Sequence, residues 1–161
     1  MVFPQTIQRF EVTEGGPTFQ KLIEQASLDL ASEIQGKSVL LLPSHGSADA
    51  FYAGSLDTLD YLNENGLNAD LYSTDEEYKE LSLHGADLWL GTFLLQSFVI
   101  PVFCGVISSY IYDKLKAKPD DKISLKFIIE KKDKSSATVS YDGKVEDVEK
   151  ALNAVKDFVD D

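Results

Sequence analysis

The chain reads as an α/β protein: a small parallel or mixed sheet with flanking helices, followed by a long apolar helix, a β-hairpin and a terminal helix. Three observations predict it. Strand-like segments alternate with segments of helical spacing through residues 1–84, the pattern of sheets built by right-handed crossovers. Residues 88–112 then run for 25 positions without a charged side chain. After that run, two alternating segments flank Asp133-Lys134-Ser135-Ser136 and lead into an amphipathic stretch, a hairpin and a helix in order.

Residues 6–13 alternate as a strand with Phe10 and Val12 on one face, ended by Gly15-Gly16-Pro17. Thr18 can cap a helix whose apolar positions are Phe19, Leu22, Ile23, Ala26, Leu30 and Ile34, with Gly36 placed to stop it. Val39-Leu40-Leu41-Leu42 is continuously apolar, as strands covered on both faces are. Pro43-Ser44-His45-Gly46-Ser47 is a loop, and residues 48–64 read as a helix with Tyr52, Leu56, Leu59 and Leu62 inward. Leu67, Ala69 and Leu71 alternate as a half-buried strand, and Thr74-Asp75-Glu76-Glu77 has the form of a capping box opening a short helix to about residue 83. Farther on, Ile123, Leu125, Phe127 and Ile129 share one strand face, as do Ala137, Val139 and Tyr141. Asp142-Gly143 turns into a helix striped by Val145, Val148, Leu152, Val155 and Val159, with Glu146, Asp147 and Glu149 at its positive end. A boundary is expected near residues 83–85 and a weaker one at Pro119, dividing a 1–84 region from an 85–161 region that packs against it as one unit. A two-stranded hairpin is marginal alone, so it is expected to pack under the last helix or to join the first sheet.

The uncharged run is the most unusual feature. As one helix it would extend roughly 37 Å, enough for a bilayer core of about 30 Å, with Trp89 at one end and Tyr110 and Tyr112 at the other. Its 13 Leu, Ile, Val and Phe residues favour insertion by about −4 to −8 kcal/mol, offset by Gln96, three serines, two glycines and Pro101. Pro101 should kink such a helix. Ser97, Pro101, Cys104 or Gly105, and Ser108 recur every three or four residues, a stripe of small side chains that lets helices approach closely. Three readings follow: a buried central helix, a helix completed by a partner or a second copy, and a membrane segment.

Net charge is −12, and it is uneven. Residues 1–84 hold 14 acids and 4 bases; residues 85–161 hold 13 and 11. So acidic a surface repels phosphate backbones, and nucleic-acid binding is not expected. The single cysteine, Cys104, permits neither an intrachain disulfide nor a thiolate metal cluster. No cofactor motif is present and no cofactor is expected. Met-Val-Phe-Pro-Gln-Thr at the start lacks the basic and apolar regions of a signal peptide. A cytoplasmic protein is expected, with the uncharged run as its membrane contact if it has one.

The best pocket in the sequence is Ser44, His45, Gly46 and Ser47, between an apolar strand and a helix, where open α/β sheets bind ligands. A Ser–His hydrolase would also need an acid, for which Asp49 and Asp70 are available, and an oxyanion hole. The plain alternative is that Gly46 makes the turn and Ser47 caps the helix. The loop lacks the Walker, dinucleotide and nucleophile-elbow patterns. His84 before Gly85 reads as a helix end, and no His, Asp or Glu cluster has ligand spacing.

Asp87-Leu88-Trp89, the apolar segment with its central Pro101, and Ser109-Tyr110-Ile111-Tyr112-Asp113-Lys114-Leu115 precede a strand, the Tyr141-Asp142-Gly143 turn and a short last helix. Over about residues 85–159 this layout resembles small uncharacterised bacterial proteins and the effector-associated constant components of bacterial conflict and defence systems. The resemblance implies an accessory or adaptor role beside a separate effector, and it carries over no functional residues. The leading expectation is therefore a non-enzymatic accessory protein acting through protein–protein or membrane association of its apolar segment. A small-molecule-binding or hydrolytic domain using the Ser44–Ser47 loop, and a membrane-perturbing effector, are the alternatives.

Overall fold

A computed structural model of the protein describes residues 9–43, 49–81 and 87–161. Its centre is a six-stranded mixed sheet in the order β1-β8-β7-β6-β2-β4. The strands are β1 (Arg9–Glu14), β2 (Val39–Leu42), β4 (Ala69–Leu71), β6 (Leu88–Gln96), β7 (Lys122–Glu130) and β8 (Ser136–Lys144). Two short segments, β3 (Phe51–Tyr52) and β5 (Glu80–Leu81), pair in parallel apart from it. β2 runs parallel to β4, and β6 parallel to β7, so each pair needs a crossover; the first carries α3 (Ser55–Glu64) and the second α4 (Ile100–Ser109). The pairs β2–β6, β7–β8 and β1–β8 are antiparallel. The mixed sheet, the C-terminal hairpin and its helix α5 (Val148–Lys156) are as the residue pattern predicts.

Alternation sorts each strand between two layers. On one face Val39, Leu41, Phe93, Leu95, Phe127, Ile129 and Val139 meet α3, α4 and α5 in the main core, with Phe93, Phe103 and Phe127 in mutual ring contact at 5.4–5.9 Å. On the other face Leu40, Leu42, Leu94 and Ile128 meet α1 (Phe19–Gln25) and α2 (Leu28–Ile34) through Phe19, Leu22, Leu30 and Ile34. β2 is buried at every residue because it lies between both layers.

Four elements differ from the sequence expectation, each for a physical reason. Residues 19–34 form two helices because the Ser27 side chain accepts the Leu30 N–H at 3.2 Å and starts α2 anew. Residues 51–52 of the expected 48–64 helix are β3, and Leu56 is exposed. Thr74 Oγ1 accepts the Glu77 N–H at 3.3 Å, so half of the capping box forms, but the chain continues as a turn into β5. The largest difference is the uncharged run, which is not one long helix. Its first nine residues are β6, Ser97–Val99 make a 3₁₀ turn, and α4 follows for ten residues before a π-helical turn at Tyr110–Lys114. β6 is apolar throughout because both of its faces are covered, and α4 because its exposed outer face is apolar as well, so neither keeps the periodicity that distinguishes strand from helix. A bulge between Trp89 and Gly91, with Gly91 at φ 120°, marks the strand portion.

The segment expected to be residues 1–84 does not have a sheet to itself. β1 pairs with β8, and β2 and β4 join the sheet through β6.

Candidate functional site

α4 begins where β6 leaves the sheet. Pro101 occupies its first turn, where a missing N–H costs nothing, so it starts the helix and does not kink it. Ile100, Phe103, Cys104 and Ile107 face inward, and Tyr110 and Ile111 continue that face into the π-helical turn. The outer face is unusual. Phe98 is 66% exposed and Val102 51%, and Pro101 and Gly105 are exposed beside them. Tyr112 is 39% exposed and its hydroxyl donates to the Val145 carbonyl at 3.4 Å. From Phe98 to Tyr112 this outer stripe carries no charge; the first is Asp113, which accepts a hydrogen bond from Ser109 at 3.4 Å.

Gly105 is the informative position. A glycine inside a helix costs about 1 kcal/mol relative to alanine. A Cβ built at Gly105 would meet nothing within 4 Å, and its φ is not one that disfavours side chains. No requirement among the described residues accounts for the glycine. What it offers is a shallow hole in an exposed apolar ridge, about 4.5 Å along the axis from Val102.

The five residues expected to form one small-residue stripe are divided by this geometry. Pro101 and Gly105 lie outside. Ser97 is buried in the turn before the helix, at 4% exposure. Cys104 is buried, its thiol directed at the Leu152 carbonyl 4.0 Å away. Ser108 is half-buried and donates to Glu149 at 3.2 Å. The i, i+3/i+4 spacing fails at Ser97 because that residue precedes the helix. Sequence reasoning missed Phe98 and Val102, whose apolar side chains looked like core; only a fixed strand–helix boundary shows that they face out.

Burial raises the Cys104 thiol to about 11, so at neutral pH it is a protonated, inert core group. Among the described residues no group of three or more His, Cys, Asp and Glu side chains could hold a metal ion. Among them too, no helix is long and apolar enough to cross a membrane; with β6 a strand, the single long apolar helix expected over 88–112 is not formed.

Ser44, His45, Gly46 and Ser47 lie outside the described residues, as does His84. The parallel strands β2 and β4 end side by side. A cleft of about 250 Å³ at that end is lined by Gln25, Ser27, Pro43, Asp49, Tyr72 and Glu77, among others. Tyr72 ties its wall together: the backbone N–H donates to the Leu41 carbonyl at 2.8 Å and the hydroxyl to the Leu22 carbonyl at 2.7 Å. Asp49 is held ionised below its ordinary range by a hydrogen bond and charge from Lys79, 2.8 Å away.

No protein-family model, no curated protein and no solved structure matches the chain.

Proposed function

We propose that this is a non-enzymatic accessory or adaptor protein that binds another protein through the outer face of α4. The observation that carries the reading is the exposed, uncharged ridge of Phe98, Pro101, Val102 and Gly105, with an unfilled position at Gly105. The occupant it suits is an apolar helix of the partner. A small residue admits a helix backbone closely, and Val102 and Phe98, in the turns before it, supply apolar contact. The resemblance read in the sequence of residues 85–159 to components of conflict and defence systems suggests the setting, an accessory part working beside an effector.

The test is capture of the native partner from the source cells by the untagged chain's antibody, or by a C-terminal tag, with two variants as controls. Val102→Glu places a charge on the ridge, and Gly105→Leu fills the hole. Both positions are exposed, so both variants should melt as the parent does. The reading expects one stoichiometric partner that both variants lose. Equal capture by parent and variants would sink it, and recovery of the parent in membranes alone would transfer the same face to a lipid surface.

A second reading has its own observation. The cleft at the carboxyl ends of β2 and β4 is where open α/β sheets bind ligands. The Ser44–Ser47 loop follows β2 directly in sequence. This reading takes the chain as a small-molecule-binding or hydrolytic domain. It expects a ligand-induced rise in melting temperature that His45→Ala and Ser44→Ala abolish.

A further inference from the structure

The two edges of the sheet are treated differently. β4, at one edge, is closed by side chains. Asn63 Nδ2 donates to the Ala69 carbonyl at 3.0 Å and its Oδ1 accepts the Ala69 N–H at 2.8 Å, while the Asp70 carboxylate takes the Leu71 N–H at 2.8 Å. β1, at the other edge, has no such cover among the described residues. It is twice as long, all six of its residues are exposed, and it contains no proline or bulge. Open strands of this kind template pairing with another chain unless they are blocked.

Register fixes which backbone groups are available. The Gly15 N–H donates to the Ser136 carbonyl at 2.8 Å. In an antiparallel ladder alternate residues bond to the same neighbour, so Arg9, Glu11 and Thr13 turn their backbone groups toward β8. Phe10, Val12 and Glu14 turn theirs outward. Phe10 and Val12 are also half-exposed as side chains, at 46% and 50%, with Phe10 edge-on to Tyr141 at 6.5 Å.

We propose that the free edge of β1 pairs with β1 of a second copy, antiparallel about a two-fold axis at Val12, joining two six-stranded sheets into one. This register places Val12 opposite Val12, and Phe10 opposite Glu14, on each side of the axis. All three outward-facing residues then exchange N–H···O bonds with the partner strand. It sets Phe10 diagonal to the other copy's Val12, within reach of an aromatic ring, and Glu11 opposite Thr13. Sliding the axis to Glu11 would oppose two carboxylates.

Charge argues for a second copy in particular. The chain carries −12, so most of its surfaces would repel a copy. On β1 each acid already has a cation of its own: Arg9 lies 2.9 Å from Glu11, and Lys131 lies 3.2 Å from Glu14. Two such edges meet without unpaired acids facing one another. A six-residue strand pair buries less than the roughly 1,200 Å² of a standard stable interface, so the dimer is a weak one that forms at high concentration.

The experiment is sedimentation equilibrium of the untagged full chain, from about 1 μM to about 1 mM, the range that reports weak dissociation constants. The weight-average mass is expected to climb from 17.8 kDa toward twice that value. Val12→Pro removes only an outward N–H, so the β1–β8 ladder keeps its bonds, and Val12→Lys opposes two cations on the axis. Each should shift the midpoint upward by at least about tenfold, with far-UV circular dichroism unchanged. Gly105→Leu should leave the dimer intact, which separates this contact from the α4 ridge. A parent that stays monomeric at 1 mM overturns the proposal. So does a dimer that both Val12 variants retain, or one that Gly105→Leu abolishes.

Discussion

Gly143→Ala tests how tightly the end of the hairpin is packed. Gly143 sits on β8, opposite Ile123, two residues after Tyr141. Its φ is ordinary, so an alanine carries no backbone strain there. The obstacle is the Tyr141 ring: a Cβ at position 143 would lie 2.8 Å from the phenol oxygen and 3.0 Å from Cζ. That ring has little freedom to yield. Tyr141 is 4% exposed, and its hydroxyl donates to the Lys144 carbonyl at 2.6 Å, holding the strand against the turn into α5. Relief of the clash must displace the ring or the strand, an overpacking cost of about 1–3 kcal/mol. Losing the Tyr141 hydrogen bond adds about 1 kcal/mol, and replacing a strand glycine returns roughly 0.5–1 kcal/mol. The net expectation is a loss of about 1–3 kcal/mol, or roughly 3–10 °C in melting temperature for a domain of this size. Urea unfolding of Gly143→Ala, Tyr141→Phe and the double variant would measure it. Tyr141→Phe removes the closest contact, so the double variant should be less destabilised than the two single effects added together. A Gly143→Ala protein as stable as the parent, or strictly additive effects, would refute the packing argument.

Glu130 is 7% exposed and accepts the Phe19 N–H at 3.0 Å, fastening the start of α1 to β7; Glu130→Ala should cost about 1.5–3 kcal/mol in urea unfolding, with Glu130→Gln milder. Thr92 Oγ1 is buried with no hydrogen-bond partner among the described residues, so Thr92→Val, of the same shape, should leave stability unchanged or raise it by up to about 1–3 kcal/mol; a clear loss would mean the hydroxyl is used. Burial lifts Cys104 to about 11, and burial lifts Tyr78 and Tyr141 to about 12, Glu80 adding to Tyr78 and Asp147 and Glu146 to Tyr141. All three hold their protons more tightly folded than unfolded. Their contribution is therefore complete below the unfolded values, about 8.5 for Cys and about 10 for Tyr, and is lost as pH climbs through the folded ones. Urea midpoints should be steady to about pH 8 and fall between about pH 9 and 12; a midpoint that holds to pH 11 would contradict this. Over the same range below pH 8, a thiol reagent should label Cys104 only after unfolding.

Much of the architecture is legible in the residues, and its gaps have particular causes. β2 announces itself because four consecutive apolar residues bounded by Lys37-Ser38 and Pro43 fit a strand covered on both faces. β7, β8 and α5 lie close to where the residues place them because their main-core faces keep periods of two and 3.6, although Ile128 covers the other face of β7 too and β8 runs on through Asp142-Gly143. β6 and α4 have no such contrast. The separating signals are local ones, Thr92-Phe93 in the strand and Ser97 with Pro101 at the helix start, and they are weak against a continuous apolar background. The break in residues 19–34 was available from Ser27, a good cap in mid-pattern. At the candidate site, the small residues are conspicuous in sequence, but which of them face outward depends on where α4 begins. That boundary is set by the sheet, through the pairing of β6 with β2 and β7.

The strand order also dictates a timetable. β1 is made first, yet its partner β8 is complete only at residue 144. β2 and β4 can meet early, but they gain the rest of the sheet only through β6, which ends at residue 96. At a synthesis rate of about 5–20 residues per second, β1 waits about 6–26 s on the ribosome as an unpaired strand with Phe10 and Val12 uncovered. Such long-range pairings slow folding and leave sticky segments exposed meanwhile. The alternation of Arg9, Glu11 and Thr13 with those two apolar residues then has a role before the native state exists: it keeps the waiting strand soluble until its neighbour is synthesised.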